Sequence, residues 1–177
     1  MAVKQGACRN RQGGAALHKK QGTPANMRTY LVVIDETIEA GVALRFATRR
    51  AAKTGGTVQI LAIVEPVEFV AFGGIQATME TEAREHAEEL VQSAAGAIVE
   101  ETGVQPSILV RTGKAIALIR EILAEDPNIA ALVLGAASVG APGPLVTHFA
   151  GVEAGSLPCP VMIVPGGLDN AALDRVS

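Results

Sequence analysis

The chain has 177 residues, of which 49% are hydrophobic, 19% charged and 3% aromatic, and its formal net charge is −3. That length suits one domain with a sizeable core, and the apolar content excludes disorder of the highly charged kind. Residues 1–26 hold five basic and no acidic side chains, leaving ten basic against eighteen acidic in the rest; an acidic body argues against nucleic acid as the main partner, because phosphate backbones need a basic surface.

The first 26 residues, with Lys4, Arg9, Arg11, Lys19 and Lys20, read as a disordered basic tail. They lack the continuous apolar stretch of a secretory signal, and Met27 is an alternative start. A folded domain is expected over 27–166. Tyr30 to Ile34 is a short apolar run of the kind buried on both faces of a parallel sheet, closed by Asp35. Thr37 can cap a helix carrying Val42, Phe46 and Ala47 on one face, which Gly55-Gly56 stops. Arg45, Arg49, Arg50 and Lys53 crowd its later turns, opposite the negative helix end.

Val58 to Val64 predicts a second strand, ended by Glu65-Pro66, and a loop with Phe69 and Phe72 follows. From about Gln76 to Glu101, Met79, Ala83, Ala87, Leu90, Ala94 and Ile98 recur at helical spacing, with glutamates on the other side. Ser107 to Val110 predicts a third strand, closed by Arg111-Thr112-Gly113. Ile116, Ile119, Ile122 and Leu123 mark a third helix, stopped by Asp126-Pro127. Ile129 to Leu134 predicts a fourth strand, then a loop rich in Gly and Pro, a short helix from about Leu145, and a fifth strand over Val161 to Val164. The remaining 167–177 read as a loose end. No Asp, Glu, Lys or Arg occurs from Pro127 to Val152, yet Gly140, Pro142, Gly143 and Pro144 break any membrane helix there. Strands alternating with helices imply an α/β fold with a parallel sheet and right-handed crossovers. Cys8 and Cys159 make neither a metal spacing nor a disulfide framework, which points to a reducing, cytoplasmic setting.

Ligands of open α/β sheets gather beyond the carboxyl ends of the strands. The chain offers Asp35, Glu65, Thr112-Gly113 and the loop from Gly135 to Thr147 there. Asp35 suits a helix-capping carboxylate or a ligand contact equally well. Gly113-Lys114 follows a strand, but the G-x-x-x-x-G-K-[ST] pattern is missing, so a packed turn is the expectation. Glu82, His86 and Glu89 share a helix face and read as solvated charges, not metal ligands. Cys159, between two prolines, reads as a small buried side chain. No Gly-x-Ser-x-Gly elbow occurs, and Ser138 has no identifiable base, so no enzyme activity is expected.

Five stretches recur in a telling order: Val32-Val33-Ile34-Asp35-Glu36-Thr37, Ala62-Ile63-Val64-Glu65-Pro66, Arg111-Thr112-Gly113-Lys114, Leu132-Val133-Leu134-Gly135, and Pro158-Cys159-Pro160-Val161-Met162-Ile163-Val164-Pro165. Together, over about residues 28–166, they resemble the universal stress protein family. The resemblance implies a five-stranded parallel sheet in order 3-2-1-4-5 with helices on both faces, a Rossmann-like fold akin to the adenine nucleotide alpha hydrolases. It also implies a homodimer, formed here through Val161, Met162, Ile163 and Val164. Many members bind ATP through an Asp after strand one and a loop G-x-x-G-x9-G-[ST]. Asp35 and Gly135 match; Ser138 replaces the second glycine, and His148-Phe149 replaces the closing pair. The resemblance therefore names Asp35, Val64, Gly135, Ser138, Gly140, Thr147 and His148 as candidate cofactor contacts, on a degenerate ATP loop. The implied function is a regulatory or protective homodimeric module that, with its altered loop, binds adenine nucleotide weakly or not at all and then acts through protein contacts; an ATP-hydrolysing enzyme using the strand-end crevice is the alternative.

Overall fold

The computed structural model describes residues 28–66 and 73–177. The basic tail, Cys8 and the Phe69/Phe72 loop lie outside the described residues. The elements run β1 (Thr29–Ile34), α1 (Ile38–Thr54), β2 (Thr57–Val64), α2 (Gly73–Thr102), β3 (Ser107–Thr112), α3 (Ala115–Glu125), β4 (Ile129–Ala136), α4 (Pro144–Thr147), a π turn (His148–Val152), β5 (Val161–Pro165) and α5 (Asn170–Val176). All strand pairs are parallel and the sheet order is β3-β2-β1-β4-β5. Both the alternation and the implied order hold.

Strand periodicity of two divides the core into two layers. Tyr30, Val32 and Ile34 of β1, with Val58, Ile60, Ala62 and Val64 of β2, face α1, α2 and α5. Leu31, Leu61, Leu132 and Leu134 face the other way, toward Ile119, Ile122 and Leu123 of α3 and toward Val146 and Phe149. Near-continuous apolar strands thus supply both layers at once, which is why the aromatic-poor composition suffices. Among the described residues, no helix is long and apolar enough to cross a membrane.

Helix α1 packs close against the sheet, its buried side carrying the small residues Ala40, Ala43, Ala47 and Ala51. The approach is tight enough that a Cβ on Gly135 of β4 would sit 2.2 Å from the Glu39 carbonyl oxygen. Thr37 accepts a hydrogen bond from the Ala40 amide and caps the helix; Gly55, at φ 66°, ends it.

The end of the chain differs from expectation. In place of a loose 167–177, α5 forms a capped helix whose Asp169 accepts from the Ala172 amide at 2.7 Å, and Leu173 is fully buried against the α1 layer. Lys53 donates to the Asp174 and Ser177 carbonyls, each at 2.9 Å, and Arg49 pairs with Asp174 at 3.2 Å and Glu101 at 3.0 Å. A seven-residue helix with a single apolar anchor has no periodicity to read. Two of the four cations assigned to the α1 dipole, Arg49 and Lys53, are its clamps.

Candidate functional site

Chain order turns around at β1: β2 and β3 extend one way, β4 and β5 the other. The ends of β1 and β4 therefore diverge into loops on opposite sides, and a cleft opens between them. The structure has a crevice of about 780 Å³ at that place, within the usual size for small-molecule sites. Asp35, Glu39, Glu65 and Gly135 line it from the strand ends and α1; Lys114 and Arg120 line it from α3; Pro142 to Val146 line it from the β4–α4 loop.

Asp35 and Gly135, the two positions that match the family pattern, meet at this crevice. Asp35 has a local task as well. Its Oδ1 accepts from the Thr37 amide at 2.9 Å and from the Thr37 hydroxyl at 2.5 Å, so it orients the residue that caps α1. Gly135 likewise has a packing reason, the Glu39 backbone pressed against it.

The other candidates stand apart from the crevice lining. Val64 is buried under α2, although its neighbours Ile63 and Glu65 line the crevice, and its carbonyl accepts from the Gly113 amide at 3.0 Å. Ser138 and Gly140 are exposed on the loop beyond β4, Gly140 at φ 81°. The Thr147 hydroxyl donates to the Gly143 carbonyl at 2.9 Å, one turn back along its own helix. His148 turns toward Glu153: Nε2 lies 3.2 Å from Oε1, within ion-pair reach but not aligned as a hydrogen bond. Phe149 is fully buried in the α3 layer, its ring edge-on to His148 at 5.2 Å.

These placements decide how well the ATP loop fits. Where the family pattern calls for a small residue and a hydroxyl near phosphate, this chain plants a core phenylalanine, and the neighbouring histidine is occupied with a carboxylate. The π turn that carries both closes with the Glu153 amide donating to the His148 carbonyl, five residues back, at 3.4 Å. The glycine-rich loop therefore departs from the family pattern at its closing positions, while its Pro142 to Val146 stretch still lines the crevice.

Sequence reasoning passed over two crevice residues. Lys114 read as part of a packed turn, and Arg120 was not singled out. A signal was present: Ala117 and Arg120 are three apart on a helix whose other face is apolar, and both line the crevice. His86 pairs with Glu36 at 2.7 Å, and among the described residues no three His, Cys, Asp or Glu gather as a metal site. Burial pushes the Cys159 thiol above its ordinary pKa, a backbone hydrogen bond with Leu132 working the other way, so the thiolate is disfavoured.

Fold and crevice together define a doubly wound α/β protein with a cleft at its switch point. The sequence pattern of the Universal stress protein family matches residues 26–165, and the chain belongs to that family. Among solved structures it is similar to universal stress protein UspA from Lactobacillus plantarum, with TM-score 0.67 and 16% identity over 79% of this chain and 99% of the other. It is also similar to a family protein from Burkholderia pseudomallei (TM-score 0.61, 19% identity, 81% and 99% covered) and to one from Archaeoglobus fulgidus (0.54, 20%, 77% and 97%). At these identities the likeness shows the fold. No curated protein matches in sequence.

Proposed function

We propose that the chain is a homodimeric regulatory or protective module whose crevice holds an adenine nucleotide as a signal, without turning it over. The observation that carries this reading is the convergence of Asp35 and Gly135, from adjacent strand ends, on one crevice of about 780 Å³. Calorimetric titration with ATP is expected to give saturable heat and a raised melting temperature. Neither heat nor a thermal shift at millimolar ATP would leave a module that acts through protein contacts alone.

The dimer half of the proposal rests on β5. Among the described residues that strand pairs only with β4, and Ile163 on it is 43% exposed. An open apolar edge invites pairing, and a second copy of the same strand closes it by two-fold symmetry. Under native conditions at micromolar concentration the expected mass is twice 18.2 kDa, and Ile163→Lys is expected to return a single 18.2 kDa species. A wild-type protein that sediments only as monomer contradicts this.

A further inference from the structure

We propose that the anionic end of the ligand is held from α3, by Lys114 and Arg120, in place of the glycine-rich loop, and that the ligand is a nucleoside di- or triphosphate. This deepens the nucleotide reading above and rests on it. Both cations line the crevice. Lys114 stands at the N-cap of α3, where a positive charge opposes the helix dipole, and its side chain makes no capping bond. Among the described residues it has no carboxylate partner either. A cation kept in an unfavourable place without a local partner is a conflict of the kind that functional sites tolerate. Ala115, Ile116 and Ala117, the first turn of the same helix, border the crevice beside it.

Arg120 has the complementary arrangement. Its Nη2 lies 3.2 Å from Oε1 of Glu153, whose side chain is only 10% exposed, while the Arg120 side chain is 60% exposed. The buried carboxylate anchors one corner of the guanidinium, and the remaining donors are left without a partner among the described residues. A planar fork held at one end loses little further freedom on gripping phosphate. Glu153 is thus a positioning residue for Arg120. Its other oxygen is buried without a hydrogen-bond partner, a costly arrangement to keep for packing alone.

Asp35, Glu39 and Glu65 line the crevice from β1, α1 and β2, and none of them is paired with Lys114 or Arg120. Carboxylates accept from ribose hydroxyls and repel phosphate. The sugar therefore belongs on the β1–β2 rim and the phosphates toward α3.

The test is calorimetry with adenosine, AMP, ADP, ATP and inorganic tripolyphosphate, on wild type and on Lys114→Gln, Arg120→Gln, Arg120→Lys and Ser138→Ala. Affinity is expected to rise with phosphate number. Each Gln variant is expected to weaken ATP by about tenfold or more while leaving adenosine unchanged. Arg120→Lys, which keeps the charge without the fork, is expected to fall between, and Ser138→Ala to match wild type. Arg120→Gln leaves Glu153 facing His148 alone, so melting temperatures accompany every titration; should that variant fail to fold, Lys114→Gln decides. ATP binding that both Gln variants leave intact overturns the inference and spares the nucleotide reading. If no adenine compound binds, that reading fails, and tripolyphosphate decides the rest: binding lost in the variants upholds the cationic site, and no binding overturns it.

Discussion

Gly135→Ala is expected to destabilise the fold by about 3 kcal/mol or more, because the added methyl meets backbone that cannot swing aside. A Cβ there would lie 2.2 Å from the Glu39 carbonyl oxygen, 2.4 Å from the carbonyl carbon and 3.0 Å from the Ala40 amide nitrogen. Relief requires α1 to lift off β4, which opens the contacts of Ala40, Ala43 and Ala47 with the sheet. Urea unfolding measures the effect as a lowered midpoint; a midpoint equal to wild type would show that α1 can shift freely. The result bears on function too. Any loss of ligand binding in this variant follows from the displaced helix, so it is no evidence that Gly135 touches phosphate.

Phe149→Ala is expected to cost about 3–5 kcal/mol, the range for emptying a buried aromatic site. Phe149 heads the largest fully buried side chains, packed with Leu31, Ile119, Leu132 and Leu134. Phe149→Ser, which brings back the residue type of the family loop, is expected to cost at least as much, since a buried hydroxyl joins the cavity. Chemical denaturation of both variants checks this. A Phe149→Ser protein as stable as wild type, with ATP affinity gained, would show that the loop had merely been blocked. The expected outcome is the reverse: the segment has been rebuilt as core, and reversion at one position does not restore a phosphate cradle.

What could be read beforehand follows from which signals are periodic. Val32, Val33 and Ile34, or Ile129 to Leu134, announce buried strands because every position is apolar, and Ile116, Ile119 and Leu123 announce a helix face. Asp35 and Gly135 were legible through the family pattern, and they do meet. The role of Gly135 was not, because a glycine needed for a ligand and one needed for a neighbouring helix look the same in a string of letters. Arg120 was hidden differently. Its meaning comes from Glu153, which lies across a β-strand and a π turn in sequence. Leu173 was hidden because one apolar residue makes no pattern, and its burial depends on a gap beside α1 that only the packed fold defines.

The turn-around at β1 also governs when the pocket comes into being. Thr29 pairs with Ile129, so the two walls of the cleft are joined only after α1, β2, α2, β3 and α3 have been made. Such distant partners come together slowly, since a long stretch of chain must close before they touch. A ribosome-bound fragment that stops short of β4 has the first rim and lacks the second. The cleft is thus complete only once the chain has been made and folded through β4 and the Pro142 to Val146 stretch, and any binding there depends on joining the two halves of the sheet.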